Sequence, residues 1–302
     1  MNKPNTFLIG VQKAATTSVY NWLSQHPEVC APLAMKDIAF FTRSMYYEDK
    51  GHNYLLNHYQ NCELKEKIKL QCSVHYIFFE AALRRIKSFN PNSKFILILR
   101  QPMERAVSSY LYAKRFGEEH LSFKEALEQE HERINSEDFV TKSSCTHINH
   151  GFYAHQINVF LKYFKKELLK IVFYDDIRND ANECIRGLYE FLSVEKDFVP
   201  EFKNHNRSGK VKLRFIQNFL FGDSGIKRFL VNTVLPKIIS DEKRAILRWK
   251  IIDMNVWNKK DELNIDKTLT EKYNSLFYKD INELEKITNR DLSSWKKTPN
   301  IT

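Results

Sequence analysis

Glycine and proline are scarce in this chain, 8 of each in 302 residues, and no stretch is rich in Gly, Ser or Pro. Collagen-like, linker-rich and low-complexity classes are therefore excluded. Cysteine is sparse too: Cys30, Cys62, Cys72, Cys145 and Cys184 are odd in number, scattered, and never in a C-x-x-C spacing. Neither a disulfide framework nor a zinc site is expected, and the metal expectation for the whole chain is none. No apolar run approaches the roughly 18 residues of a membrane-spanning helix, and MNKPNTFLIG at the start does not read as a basic region followed by a hydrophobic leader. With reduced thiols, these absences predict a cytoplasmic address.

What is present describes a folded protein. Apolar residues make up 43%, charged residues 28% and aromatic residues 13%. The length suits one large α/β domain or two small ones, and without a linker or repeat a single domain over residues 1–302 is predicted, with a core at about 5–205 and a helical C-terminal part at about 206–297. Lys and Arg outnumber Asp and Glu by 47 to 37, for a net +10. The excess is local. Lys203–Lys250 holds 12 basic and 3 acidic residues, whereas Gly117–Asp138 holds 8 acidic and 2 basic. Such asymmetry points to an anionic partner: a phosphorylated cofactor, a polyanion or a membrane surface.

Short apolar runs at Phe7–Gly10, Phe95–Leu99 and Ile171–Tyr174, with a weaker one at Lys67–Cys72, are too short for helices and rich in β-branched and aromatic residues. They read as buried strands. Helical patterns lie between them at Thr16–Gln25, Glu80–Ser88, Arg105–Lys114, Ser122–Ile134, Tyr153–Phe164 and Ala181–Leu192. Strands alternating with helices imply a parallel sheet covered on both faces. Beyond Asn206 only helices are expected: Ile226, Phe229, Leu230 and Val234 recur at helical spacing, and Tyr273–Thr288 carries a similar stripe.

Two segments carry chemistry. The strand Phe7–Gly10 runs through Lys13-Ala14-Ala15-Thr16-Thr17-Ser18 into a helix with Val19, Trp22 and Leu23 on one side. Free N–H groups and the positive end of a helix dipole would face an anion there, and Lys13 adds full charge. Lys13 precedes the paired Thr by three positions, unlike the Lys-Ser/Thr order of a Walker A loop. Alone, the segment equally fits a helix N-cap beside a surface Lys. The second is the strand Phe95–Leu99, which ends in Arg100 and is followed by Pro102 and, two turns along the next helix, Ser108. In a parallel sheet, ligands gather at the carboxyl ends of strands, so Arg100 is expected at the same mouth as the first loop.

At these residues the sequence resembles the sulfotransferases that use 3'-phosphoadenosine 5'-phosphosulfate (PAPS), especially their bacterial and carbohydrate-type branch. Lys13 to Ser18 is similar to that family's 5'-phosphosulfate loop, and Arg100-x-Pro102-x-x-Arg105-x-x-Ser108-x-Tyr110 to its 3'-phosphate motif. Met35-Lys36-Asp37-Ile38-Ala39-Phe40-Phe41 resembles the K-E-x-x-F-F segment that holds the base, and His205-Asn206-Arg207-Ser208-Gly209 the late loop over the cofactor. The stretches Tyr278–Ile281 and Asn289–Trp295 resemble the C-terminal signature of the bacterial branch. Three departures stand out: Ala15 where cytosolic members carry Gly, Asp37 where the family has Glu, and Gln71-Cys72 where it has an acid and a Lys.

The resemblance implies a P-loop-like three-layer αβα fold and sulfuryl transfer from PAPS, without metal, to a hydroxyl or amine on a glycan or glycolipid. It assigns Lys13 and Asp37 to catalysis, as leaving-group cation and general base. It assigns Lys13, Ala14, Ala15, Thr16, Thr17, Ser18, Arg100, Ser108, Ser208, Gly209, Lys210 and Lys212 to the nucleotide. Tyr153, Tyr76, Tyr110 and Trp22 could offer stacking faces to an acceptor or serve as core aromatics. His147-x-x-His150 reads as a loop pair, since no third ligand accompanies it. Nucleic acid is not an expected partner; a peripheral membrane contact is left open by the basic stretch.

Two other classes stand beside this reading. A P-loop kinase is opposed by the position of Lys13 and by the lack of an evident strand leading into a magnesium-holding acid. A non-catalytic basic module would rest on residues 203–250 with Phe215, Phe219, Phe221 and Phe229.

Overall fold

The apolar runs fold as strands because they have no polar face to show water. Phe7, Leu8 and Ile9 are fully buried, as are Phe95, Ile96, Ile98 and Leu99. The computed structural model describes residues 3–32, 36–202 and 266–299. Within them β1 (Thr6–Gly10), β2 (Val29–Cys30), β3 (Ile68–Cys72), β4 (Lys94–Leu99) and β5 (Leu169–Phe173) form a five-stranded sheet in the order β2-β3-β1-β4-β5. Every pairing is parallel. β1 therefore lies central, with Thr6 opposite both Leu70 of β3 and Lys94 of β4.

Helices flank this sheet, so the α/β layered fold implied by the sequence is the observed one. After β1 comes α1 (Thr16–Leu23); α2 (Gly51–Asn57) precedes β3, and α3 (Glu80–Phe89) joins β3 to β4. The longest described helix is α4 (Pro102–Phe116), whose limits are written in its sequence. Pro102 suits a first turn, the Gln101 side chain accepts from the Glu104 N–H, and Gly117 closes the helix at φ 69°. Short helices α5 (Phe123–Glu128), α6 (Glu130–Ile134) and α7 (Phe139–Ser144) follow, then α8 (Tyr153–Leu161), α9 (Tyr174–Asn179) and α10 (Ala181–Leu192). The stretch Ser122–Ile134, read as one helix, is two, because a break at Gln129 turns Glu130 inward to accept from the His147, Ile148 and Asn149 N–H groups.

The described C-terminal residues share the core. The stripe at Tyr273–Thr288 is split between α11 (Lys267–Ser275) and α12 (Tyr278–Thr288), with the turn at Leu276-Phe277 driving the Phe277 ring into the interior. Asp280 on α12 accepts from the N–H groups of Ala154 (3.0 Å) and His155 (3.1 Å), occupying the N-terminus of α8. Trp295 packs edge-on against Phe173 at 5.7 Å, and its carbonyl accepts from Gln101 Nε2 at 3.0 Å. Residues 203–265, including the expected stripe at Ile226–Val234, lie outside the described residues. No helix among the described residues is long and apolar enough to cross a membrane.

One expectation is overturned. Cys30 and Cys62, read as reduced thiols, are joined in a disulfide with their Cα atoms 5.7 Å apart. Their separation of 32 residues hid this, since only the sheet brings β2 beside the segment leading to β3. A bridge over such a span contributes roughly 3–4 kcal/mol by the chain-entropy argument. Cys72, Cys145 and Cys184 are free.

The tight seat of Phe277 yields a test of packing. A Cβ on Gly151 would stand 2.6 Å from Phe277 Cε1 and 3.1 Å from Pro102 Cβ, and the fully buried ring has nowhere to move. Gly151→Ala is expected to cost about 1–3 kcal/mol and to lower the thermal midpoint by roughly 3–10 °C. An unchanged melting curve would show that the ring yields.

Candidate active site

The site begins where β1 leaves the sheet. Gly10 sits at φ 154°, and a Cβ there would meet Ile77 Cγ2 at 2.8 Å and the Val74 carbonyl at 3.1 Å. Only glycine lets the loop after β3 close against this turn. Beyond it the backbone takes two positive φ angles, 71° at Lys13 and 62° at Ala15. Ala15 thus stands in the left-handed region that favours Gly, at a cost of about 1 kcal/mol.

Ala15 is the N-cap of α1 and makes no side-chain cap. The first-turn N–H groups of Thr16, Thr17 and Ser18 are consequently left for an anion, at the positive end of the helix. Ala14 is buried beneath the loop, and Thr16 and Ser18 are nearly so. Lys13 extends over the Tyr112 ring of α4, its Nζ 4.4 Å from the centroid. Burial, then repulsion from Arg115, Arg100 and Lys36, depresses the Lys13 ammonium to about 8. A cation this crowded is poised to be stabilised by an incoming anion.

Arg100, at the end of β4, meets the same loop: Nη1 donates to the Lys13 carbonyl at 3.3 Å. Its other nitrogens bind Glu104 Oε2 at 3.1 and 3.0 Å, and the guanidinium lies 4.7 Å over the Tyr174 ring. Ser108 is half-buried on α4 and has no hydrogen bond to another described residue; its neighbour Ser109 turns inward to donate to Gln12 Oε1 at 3.0 Å. The structure therefore brings Arg100 and Lys13 together directly, whereas Ser108 is linked to them only through α4, whose Glu104 binds Arg100 and whose Tyr112 lies under Lys13. Ser208, Gly209, Lys210 and Lys212 lie outside the described residues, as does the late loop they belong to.

Asp37 acts on the same neighbourhood, through Lys36 and Tyr112. Its N–H donates to the Cys72 carbonyl at 3.1 Å, tying it to the end of β3, and its φ of 64° directs the chain sharply. The carboxylate is 42% exposed and paired with Lys36 Nζ. Phe40 and Phe41 turn fully into the core, where Phe41 meets Phe7 edge-on at 5.8 Å, so the aromatic pair anchors the segment that presents the acid. Cys72 Sγ lies 3.9 Å from Asp37 Oδ1, and burial raises its thiol well above the ordinary range. The Tyr112 phenol is pushed up to about 12, first by burial and then by Asp37 and Glu118. The loop, the carboxylate and the neutral Tyr112 phenol thus act on one another within one neighbourhood.

Several features escaped the sequence reading. Glu104, four residues after Arg100, was visible as a helical pair; Tyr112, Arg115 and Tyr174 carried no local signal. His147 is fully buried, with Nδ1 3.2 Å from Ser109 Oγ and Nε2 3.4 Å from Glu119 Oε2, so a polar chain runs from Gln12 in the loop to Glu119 and on to Arg133. The His pair is therefore part of the packing behind the site. Tyr153, Tyr76, Tyr110 and Trp22 are buried and offer no stacking face; the Tyr153 hydroxyl instead donates to the Arg100 carbonyl at 2.8 Å. The expected lack of an acid after a strand also needs correction. β5 leads directly into Asp175-Asp176 in the first turn of α9, and Arg290 occupies Asp176.

Comparison with known proteins agrees with this geometry. A family model described as a sulfotransferase domain matches residues 3–209. The human bifunctional heparan sulfate N-deacetylase/N-sulfotransferase 3 is 27% identical over 199 residues, which cover 63% of this chain and 22% of that protein. The mouse heparan sulfate glucosamine 3-O-sulfotransferase 3B1 is 24% identical over 193 residues, 64% of this chain and 47% of that one. The chain thus spans about a fifth of the first relative and about half of the second. In fold, the crystal structure of a sulfotransferase from Alicyclobacillus acidocaldarius matches with a TM-score of 0.71 at 23% identity, covering 98% of this chain and 100% of that one.

The depressed Lys13 ammonium carries a pH signature. Raising the pH through about 8 removes its proton in the free protein, and with it a charge that a bound anion needs. Affinity for adenosine 3',5'-bisphosphate, measured by calorimetry, is expected to hold from pH 6 to 7.5 and then to fall by up to about tenfold per pH unit. Arg115→Ala removes a repelling cation and should move this inflection upward. Binding that is flat to pH 9.5 would show that the Lys13 ammonium is not depressed, and a Lys13→Ala protein that binds as tightly as wild type would exclude Lys13 as an anion ligand.

Proposed function

The chain belongs to the sulfotransferase family, and on that premise we propose that it moves a sulfuryl group from PAPS to a hydroxyl or amine of a glycan or glycolipid. The observation that carries the reading is the convergence of Lys13, Arg100 and the uncapped start of α1 on one neighbourhood, which Asp37 shares through Lys36 and Tyr112. The residues fit a bisphosphorylated nucleotide: two cationic side chains joined through the Lys13 carbonyl, and a helix N-terminus that no side chain caps. When bound, PAPS supplies the sulfuryl group and a phosphate leaving group.

The chain's own residues then have distinct tasks. Lys13 and the amides of Thr16 to Ser18 hold the charge that develops on the leaving phosphate, in a site that is already organised for it. Arg100, stiffened by Glu104 and Tyr174, reads the second phosphate. Asp37 receives the acceptor's proton as the new S–O or S–N bond forms. Lys36 holds that carboxylate in the free protein, and a proton arriving on Asp37 weakens the pair. The glycan acceptor is supported by the relatives, whose names specify heparan sulfate. It is not supported by stacking aromatics, since the four proposed from sequence are buried.

Two substitutions test the assignment. Wild-type protein should bind adenosine 3',5'-bisphosphate at least about tenfold more tightly than AMP, and Arg100→Ala should erase that preference, since a charge-assisted contact is worth about 1.5–3 kcal/mol. Equal wild-type affinities would remove the nucleotide reading. Asp37→Asn keeps shape but cannot take a proton, and should lower transfer by about 10²- to 10⁴-fold with nucleotide affinity unchanged. Turnover within a few-fold of wild type would place the base elsewhere.

A further inference from the structure

We propose that Tyr112 is the positioning residue for Lys13: the face of its ring seats the ammonium beside the loop after β1, charged and in place before an anion arrives. The proposal rests on the nucleotide role given to Lys13 above, while the contact itself does not. Lys13 Nζ stands 4.4 Å from the ring centroid, inside the roughly 6 Å over which a ring face attracts a cation. Among the described residues no carboxylate pairs with this ammonium, and the charges that act on it, Arg115, Arg100 and Lys36, are all cations. The ring opposes them.

One face of α4 builds the seat. Ser109 and Tyr112 lie a turn apart on that helix and meet consecutive residues of the loop: Ser109 Oγ donates to Gln12 Oε1 at 3.0 Å, and the Tyr112 ring receives Lys13. Phe116, a further turn along, lies against Tyr112 with ring centroids 4.3 Å apart, so the ring is braced from its own helix. The loop backbone is held separately, by Arg100 Nη1 on the Lys13 carbonyl at 3.3 Å. Main chain and side chain of Lys13 are thus fixed by different elements, the end of β4 and the body of α4.

A ring suits this task better than an acid. Glu104 holds Arg100 through an ion pair, which an incoming phosphate has to share or displace. The Tyr112 face leaves the Lys13 charge uncancelled, because a ring attracts the cation through its quadrupole and carries no net charge. The phenol is pushed up to about 12, first by burial and then by Asp37 and Glu118, so it stays neutral where Lys13 titrates. Loss of the ring leaves the ammonium to burial and three repelling cations, and its proton then departs at a lower pH.

The experiment compares the full chain as wild type, Tyr112→Phe, Tyr112→Leu and Lys13→Ala, each checked for fold by circular dichroism. Lysine ε-methylene resonances, with Lys13 assigned by its loss in Lys13→Ala, read the contact with no nucleotide present. In wild type and Tyr112→Phe the Lys13 signal should lie upfield, displaced by the ring current, and titrate near pH 8. In Tyr112→Leu the displacement should vanish and the midpoint fall by about one pH unit. Adenosine 3',5'-bisphosphate, measured by calorimetry at pH 7.5, should bind Tyr112→Phe within about twofold of wild type and Tyr112→Leu about 5- to 30-fold more weakly. The deficit should shrink at pH 6, where both proteins keep the ammonium, and Tyr112→Leu should add nothing in a Lys13→Ala background. A wild-type Lys13 signal at the position of exposed lysines would overturn the contact. Equal losses in Tyr112→Phe and Tyr112→Leu, or a Tyr112→Leu loss that persists without Lys13, would overturn the seating role by placing it in the hydroxyl or the helix. A ring-dependent Lys13 titration in protein that binds no nucleotide would uphold the seat and overturn the nucleotide reading instead.

Discussion

The close approach of backbone at Gly10 is the constraint on which the rest of the molecule depends. β1 is buried on both sides between β3 and β4, so its direction is fixed by hydrogen bonds and by Phe7 stacked on Phe95 at 5.8 Å. Its exit is then narrowed by Val74 and Ile77, which stand too close for a Cβ. The loop has to turn sharply, and positive φ angles at Lys13 and Ala15 follow. From that turn come both the direction of α1 and the place of the Lys13 side chain. The sheet therefore sets the anion site, and the loop residues comply at some local cost.

That site is assembled from groups that repel one another. Lys13, Lys36, Arg100 and Arg115 act on a single neighbourhood, and burial adds to the penalty on Lys13. Stability is kept by partners outside the loop: Glu104 for Arg100, Asp37 for Lys36, and the Tyr112 face for Lys13. An anionic ligand relieves the remaining strain. Behind the loop, Gln12, Ser109, His147, Glu119 and Arg133 form a continuous buried polar chain. Burial alone would raise the Glu119 carboxyl, but hydrogen bonds from His147 and Arg133 win and hold it far below the usual range.

The C-terminal residues finish the same core and support the site indirectly. Asp280 stabilises the start of α8, Trp295 covers the end of β5, and Gln101 is gripped by Asn274 and the Trp295 carbonyl. Gln101 also caps α4, the helix that bears Ser108, Tyr112 and Arg115. A chain segment nearly 200 residues away in sequence thus fixes the residue beside Arg100. Family membership through residues 3–209 and fold likeness over 98% of the chain are consistent with this division of labour.

Four of the five described strands, most of the described helices, the loop after β1 and the approach of Arg100 to it were legible in the sequence, because each is a local pattern, whereas the two-residue β2 was too short to leave one. Apolar runs too short for helices must become strands, and Pro102 with Gly117 marks α4 whatever surrounds it. The segments of Lys13 and Asp37 were singled out through their resemblance to a family, and the roles it implies for them belong to the proposed function. What distant segments do to one another was not legible. The Cys30–Cys62 bridge, the burial of four tyrosine and tryptophan rings, the break inside Ser122–Ile134 and the Tyr112 face over Lys13 each arise where residues far apart meet. Local propensity decides what a segment becomes; only the packed sheet and helices decide which side chains are left facing a ligand, because burial and charge are properties of the neighbours rather than of the residue.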